Sequence, residues 1–69
     1  MMLFKDRLKE LRIEKGISQA DLGKLVDISK MAVSHWESGH SEPSIAQLIS
    51  LALFFDVSVD YLIGKTDFL

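Results

Sequence analysis

The sequence predicts an all-α domain of five short helices. Apolar residues recur at spacings of three and four, the pattern of a helix with one buried face. Serines begin several of these segments, where a side-chain hydroxyl can accept from free backbone N–H groups. A three-residue connector also occurs three times, as Gly16-Ile17-Ser18, Asp27-Ile28-Ser29 and Asp56-Val57-Ser58. In each connector, one residue tolerates the left-handed backbone that ends a helix, an apolar residue enters the core, and serine caps the next helix.

The first helix is predicted from about Phe4 to Lys15. Its inward positions are apolar residues spaced by four and three: Phe4, Leu8 and Leu11. Most other positions are charged, so we expect them to form a solvated surface. Arg12 is different because it lies beside the apolar stripe.

Two short helices follow, from Ser18 to Val26 and from Ser29 to about Ser38. The inward residues are expected to be the apolar ones, namely Leu22, Leu25 and Val26 in the first, then Ile28, Val33 and Trp36. Two short helices joined by so few residues must cross steeply, which is the helix-turn-helix arrangement, here over about residues 18–38. Gly23 lies in mid-helix, where it indicates the close approach of a neighbouring element.

The last two helices are predicted from Ser44 to about Phe55 and from Ser58 to about Ile63, with a short tail over 65–69 after a domain over 1–64. The buried face of the fourth helix is expected to be apolar: Ile45, Leu48, Leu51, Ala52 and Phe55. Val59 and Leu62 are expected to face inward from the fifth helix.

Composition limits the class of protein. The chain has 69 residues, enough for one domain, a net charge of −2 and a pI near 5.5, whereas a generic nucleic-acid binder is usually basic. It contains no cysteine, which excludes disulfides and thiolate metal sites and fits a reducing compartment. No apolar run approaches the roughly 20 residues of a membrane span. We therefore expect a cytoplasmic protein that does not contact a membrane.

The sequence pattern predicts a mainly polar, exposed outer face for the third helix, made of Ser29, Lys30, Met31, Ser34 and His35. Side chains of this length can reach base edges in a DNA major groove. His35 and His40 lack the further ligands that a metal site needs. None of the common catalytic or nucleotide-binding motifs occurs. We therefore expect no enzyme activity, no metal or other cofactor, and no small-molecule ligand.

The spacing of several elements resembles the Xre/Cro/C1 family of helix-turn-helix regulators, which includes the lambdoid phage repressors. The elements are Ser18-Gln19-(x)2-Leu22, Ile28-Ser29, Val33-Ser34-(x)-Trp36-Glu37-(x)-Gly39, Pro43-Ser44 and Val57-Ser58-(x)-Asp60-Tyr61-Leu62. The resemblance covers about residues 5–64. It implies a compact, five-helix, lambda-repressor-like DNA-binding domain that usually acts as a dimer on an operator.

The resemblance also implies roles for single residues. Arg12 would pair with Glu37 and tie the first helix to the recognition helix, with Trp36 in the core and Gly39 ending that helix. Gln19 would hold a phosphate together with the first-turn amides. The chain departs from the family at Asp27 and Asp56, where glycine is usual, and in the 40–43 loop, where many relatives carry Lys or Arg and this chain has Glu42.

We therefore predict a sequence-specific, double-stranded DNA-binding regulator, a repressor that binds a palindromic operator as a homodimer through the major groove. The residues predicted to read bases are Lys30, Met31, Ser34 and His35. Those predicted to hold phosphates or the sugar-phosphate backbone are Ser18, Gln19, Lys24, Ser29 and Ser38. The alternative is an antitoxin or protein–protein docking module with the same fold.

The fourth helix and the tail carry more apolar surface than a monomer needs. We predict that Leu53, Phe54, Phe68 and Leu69 form or border a two-fold dimer interface, because two-fold dimers are the commonest oligomers. The alternative is that the tail folds back over the fourth helix within one chain.

Overall fold

The computed structural model describes residues 2–69, and their five helices are Phe4–Glu14 (α1), Gln19–Leu25 (α2), Lys30–Ser38 (α3), Ile45–Phe55 (α4) and Val59–Leu62 (α5). No strand occurs within this range. The predicted all-α, five-helix class is confirmed, and each helix lies within a residue or so of its expected bounds. Met1 falls outside the described residues, and the division at residue 64 stays a prediction.

Serine side chains begin four of the five helices. The hydroxyls of Ser18, Ser29, Ser44 and Ser58 each accept from the backbone N–H three residues later, over 3.0 to 3.1 Å. At the start of α2 the bond is reciprocal, because the Asp21 carboxylate accepts from the Ser18 backbone N–H over 3.2 Å. The hydrogen bonds from the Ser18 backbone and side chain lower the pKa of Asp21. These caps explain why the helix starts were readable from local sequence.

Left-handed residues end the helices at the predicted connectors. Gly16 has φ of 69°, and the aspartates at the same place in the other two connectors have similar values, 58° at Asp27 and 56° at Asp56. A side chain at such a backbone angle is crowded against the following carbonyl. The two aspartates are thus tolerated at some cost in conformational energy.

Asp56→Gly should stabilise the protein by about 0.5 kcal/mol, because glycine adopts a left-handed backbone without a steric penalty and loses some of that gain to chain entropy. Urea denaturation of the two proteins measures the difference. Ser58→Gly, at an exposed position with extended backbone, is the control and should lower stability through the lost cap. An Asp56→Gly protein less stable than wild type would show that the aspartate side chain makes a favourable contact.

The core lies where α1, α3, α4 and α5 meet and α2 packs on α3. It consists of nine buried residues: Leu8, Leu11, Leu22, Val33, Trp36, Leu51, Ala52, Phe55 and Leu62. Partly buried apolar side chains at its edge include Phe4, Val26, Ile28, Leu48 and Val59. The inward faces predicted from spacing are therefore largely those observed.

Two residues expected in the core are exposed. Leu25 is 59% exposed, because it is the last residue of α2 and its neighbour Val26 takes the inward position instead. Ile45 is 78% exposed, since it is the first residue of α4 and the core does not extend to that turn. In both cases the residue has the spacing of a buried face, but it lies at a helix end that extends beyond the core.

Arg7 is buried, with only 4% of its surface exposed, although we expected the charged positions of α1 to be solvated. Its guanidinium carbon lies 3.7 Å from the centre of the Tyr61 ring, and its Nη2 donates to Oδ1 of Asp67 over 3.1 Å. Arg7 stands three residues after Phe4 and four before Leu11, so it belongs to the inward stripe. Arginine tolerates that position because its planar cation stacks on an aromatic face.

Gly23 is packed against the backbone of the turn that follows α2. A methyl group at this position would collide with the carbonyl of Ile28. The expected close approach is therefore real, and it involves the turn and the start of α3. It allows α2 and α3 to meet at a short distance.

The 65–69 tail folds back on its own chain, but it does not cover α4 with its apolar side chains. The Ser58 backbone N–H donates to the main-chain oxygen of Leu69 over 2.9 Å, and Asp67 binds Arg7. Phe68 and Leu69 remain 85% and 72% exposed. The alternative, in which the tail folds back over the fourth helix, is therefore wrong about the position of the tail. The tail contacts α1 and the start of α5 instead. Among the described helices, none is both long and apolar enough to cross a membrane.

Candidate nucleic-acid interface

The α2–α3 pair forms the helix-turn-helix. The turn is closed by the Ile28 backbone N–H, which donates to the Gly23 carbonyl over 2.7 Å. The inner face of α3 is fixed by Val33, fully buried, and Trp36, 3% exposed. Because this inner face is held in the core, the opposite face of α3 has a defined orientation toward solvent.

The outer face of α3 presents the predicted base-reading residues in two pairs spaced by four. Lys30 and Met31 are exposed, Met31 to 68%, and Ser34 and His35 are half-buried one turn later. Residues four apart lie on the same side of a helix, so the structure brings all four onto one surface. That surface combines a cation, an apolar thioether, a hydroxyl and an imidazole, which together can contact both polar and methyl groups of bases.

An ion pair fixes α3 to α1. Arg12 Nε donates to Oε2 of Glu37 over 2.7 Å and Nη2 donates to Oε1 over 2.9 Å, which is a bidentate arrangement. A third donor, Nη1, binds the Ile17 carbonyl over 2.9 Å. The side chains are only 13% and 4% exposed, and the hydrogen bond to Glu37 raises the pKa of Arg12. The pair therefore holds α3 against α1 and is largely shielded from water.

Gln19 joins this pair from the start of α2. Its Nε2 donates to Oε1 of Glu37 over 3.2 Å, so the side chain is held in one position at the first turn. The bond uses one of the two amide N–H groups, which leaves the other available. The three side chains Arg12, Gln19 and Glu37 thus connect α1, α2 and α3.

The other residues predicted to hold phosphates are distributed around both helices. Ser18 and Ser29 are exposed caps, and the Ser38 hydroxyl donates to the His35 carbonyl over 3.0 Å. Lys24 and Lys30 line a shallow depression of about 470 Å³ beside the turn, which Asp27 also borders. The negatively charged Asp27 therefore lies on the same surface as two lysines.

At the C-terminal end of α3, the structure brings in a residue from the start of α1. Gly39 ends the helix with φ of 80°, and the His35 and His40 rings lie 4.5 Å apart. A methyl group at Gly39 would lie 3.2 Å from Cδ of Lys5, so the stem of Lys5 crosses directly over this glycine. Nothing in the spacing of the sequence indicates that contact between the start of α1 and the end of α3.

Comparison with known proteins identifies the family. The helix-turn-helix family matches residues 8–62. The chain is 35% identical, over 91% of its length, to the HTH-type transcriptional activator BcrR of Enterococcus faecalis, and 40% identical, over 87% of its length, to the HTH-type transcriptional regulator AnsR of Bacillus subtilis. It spans 31% and 52% of the length of those two relatives.

A solved structure shows the same fold. The P22 c2 repressor protein, crystallised in complex with a synthetic operator, superposes with a TM-score of 0.88 at 35% identity, covering 96% of this chain and 100% of that one. The chain therefore belongs to the helix-turn-helix family of the Xre/Cro/C1 type, and its fold is lambda-repressor-like.

Proposed function

We propose that this member of the helix-turn-helix family is the DNA-binding part of a transcriptional regulator, which recognises a specific double-stranded sequence with α3 in the major groove. The observation that carries the proposal is the outer face of α3. It combines exposed Lys30 and Met31 with half-buried Ser34 and His35, and α3 is held from behind by Trp36 and the Arg12–Glu37 pair. A helix fixed in this way can present side chains to base edges with defined geometry.

We propose repression as the mode of regulation, by occlusion of a promoter. A small domain bound across a promoter excludes other proteins without needing a catalytic group. Among the similar proteins, one is named an activator and another is a repressor crystallised with an operator. The repressor similarity extends over the whole of that crystallised chain, which supports the choice.

The alternative is a protein-docking or antitoxin module with the same fold. The two differ in their response to salt, because binding to duplex DNA releases counterions and weakens steeply as salt rises. A gel-shift titration with random-sequence duplex at two salt concentrations distinguishes them. A salt-dependent shift supports the DNA-binding proposal, whereas no shift at either concentration favours the docking module.

Gln19→Ala should weaken binding to every duplex by a similar factor, because a phosphate contact carries no sequence information. The slope of affinity against salt should barely change, since glutamine is uncharged. Fluorescence anisotropy with a set of single-base operator variants provides the measurement. Ala20, half-buried on the same helix, gives a matched control through Ala20→Ser. A Gln19→Ala loss confined to one operator position would instead identify a base contact.

We propose further that the regulator is a homodimer on a palindromic operator, with the end of α4 and the tail at the interface. Leu53, Phe68 and Leu69 are 77%, 85% and 72% exposed, so a dimer that covers them would remove apolar surface from water. Phe54 is partly covered within its own chain, where its ring lies 5.0 Å from that of Phe55 and the Lys15 ammonium lies 5.1 Å from its centre. Leu53 is therefore the better residue at which to test the interface.

Leu53→Lys should shift the protein toward monomer, because a lysine at a two-fold interface places like charges together after removing apolar contact. Sedimentation equilibrium at micromolar concentration measures the change. Ile45→Lys is the control, since it introduces the same charge at an isoleucine that is 78% exposed on the same helix and should leave assembly unaltered. A wild-type protein that is monomeric, with an unchanged Leu53→Lys profile, would contradict the proposed interface.

A further inference from the structure

The loop between α3 and α4 has no permanent cation of its own. Between Ser38, the last residue of α3, and Ser44, the cap of α4, the charged side chain is that of Glu42, and His40 is the other ionisable group. A loop at this end of a recognition helix would lie close to the DNA backbone, because the nine residues of α3 extend about 14 Å and the major groove is about 12 Å wide. The loop would therefore meet phosphates while carrying a negative charge.

The structure places a cation from another helix at this point. Lys5, in the first turn of α1, lays its stem across Gly39, where even a methyl group would lie within 3.2 Å of the lysine Cδ. The stem of Lys5 therefore packs closely on Gly39. Its charge is brought to the end of α3, although Lys5 is remote from that helix in the sequence.

Lys5 lines an open cavity of about 610 Å³. The polar residues of its wall come from the end of α3 and the following loop: Ser38, Ser41 and Glu42. Within residues 2–69 the ion pairs are Arg7–Asp67 and Arg12–Glu37, and Lys5 takes part in neither. A lysine that forms no ion pair and shares a cavity wall with two serines can bind an anion such as a phosphodiester.

We propose that Lys5 binds a DNA phosphate beside the α3–α4 loop and supplies there the cation that the loop lacks. This inference rests on the proposed DNA-binding function and assigns α1 a direct part in it. Glu42 opposes the contact, because it lines the same cavity and carries a negative charge. The affinity of this site for phosphate is therefore set by two residues of opposite charge, one on α1 and one in the loop.

The test is the salt dependence of binding to random-sequence duplex by Lys5→Met, which keeps an unbranched stem over Gly39 and removes the charge. Loss of one phosphate contact should lower the slope of log affinity against log salt by about 0.9 for each protomer bound. Between 50 and 200 mM salt, the variant should lose about threefold less affinity than wild type for each contact removed. All duplex sequences should be affected alike.

Lys15→Met is the matched control, because it removes the same charge at the opposite end of α1, about 15 Å away along the helix. Its slope should equal that of wild type. Lys5→Arg should retain the wild-type slope, and Glu42→Lys in the Lys5→Met background should restore it, which separates a charge effect from a folding defect. A Lys5→Met slope equal to the wild-type slope would overturn the inference alone, whereas wild-type protein that binds no duplex would overturn the proposed function itself.

Discussion

Arg12→Ala should be the most destabilising of the single substitutions considered, by about 3 kcal/mol. It leaves the Glu37 carboxylate only 4% exposed and without its bidentate partner, and it removes the donor to the Ile17 carbonyl. Breaking a buried ion pair from one side costs ~3–5 kcal/mol, and the lower end applies here because the Arg12 side chain keeps 13% of its exposure.

Thermal unfolding followed by circular dichroism measures this loss. For a domain of this size, ~1 kcal/mol corresponds to a shift of about 4–8 °C in Tm, so Arg12→Ala should melt at least 10 °C lower. Lys9→Ala is the control, because Lys9 is an exposed residue of the same helix and should have little effect. The double variant Arg12→Met with Glu37→Leu should recover much of the stability, since no charge is then left buried alone. An unchanged Tm for Arg12→Ala would show that the pair is solvated in solution.

Lys30→Ala should have the largest effect on DNA recognition. Lys30 is exposed in the first turn of α3, one residue before Met31 and one turn before Ser34, where a lysine can donate to guanine O6 and N7. Loss of such a contact costs about 1–3 kcal/mol at one base pair, which is roughly five- to 150-fold in affinity, and it should relax the preference at that base pair alone.

The measurement is the affinity of Lys30→Ala for an operator and for all its single-base variants, at two salt concentrations. Lys24→Ala provides the comparison, since Lys24 lines the same depression beside the turn but belongs to α2 and is predicted to hold a phosphate. It should weaken all variants alike and make the salt dependence shallower. If Lys30→Ala behaved in the same way as Lys24→Ala, Lys30 would be a phosphate contact and the assignment of base readers would be wrong.

Much of this fold could be predicted because its signals are local. A serine cap acts within three residues, and a left-handed aspartate or glycine acts on its own backbone, so Ser18, Ser44 and Asp56 marked helix boundaries without knowledge of the tertiary structure. The inward faces of the helices could also be predicted from the spacing of apolar residues within each helix. This prediction failed for Leu25 and Ile45, where a regular spacing continued past the edge of the core.

The features that sequence reasoning missed depend on contacts between distant segments. The burial of Arg7 requires Tyr61 from α5 and Asp67 from the tail, and neither can be paired with α1 by spacing. The sequence does place Arg7 on the apolar stripe of α1. The general rule that charged helix positions are solvated nevertheless led to the wrong prediction that Arg7 is exposed. The contact of Lys5 with Gly39 similarly appears only once α1 and α3 are packed.

The outer face of α3 was easier to predict from the sequence than the contacts that hold α3 in place. The outer face of α3 follows directly from the inward positions of Val33 and Trp36, because the two faces are opposite by helical geometry. The arrangement behind it, in which Gln19 and Arg12 both bind Glu37, combines three helices. Sequence resemblance supplied the Arg12–Glu37 pair, whereas the Gln19 bond required the structure.

The central claim is that α3 reads a specific duplex sequence, and the most direct test is selection of bound duplexes from a random library by the wild-type protein. We expect one sequence to be enriched, with two half-sites related by two-fold symmetry and centred about one helical turn, ~10–10.5 base pairs, apart. The same selection with Lys30→Ala should lose the preference at one position in each half-site. Recovery of an unenriched library at low salt, from protein shown to be folded, would contradict the claim.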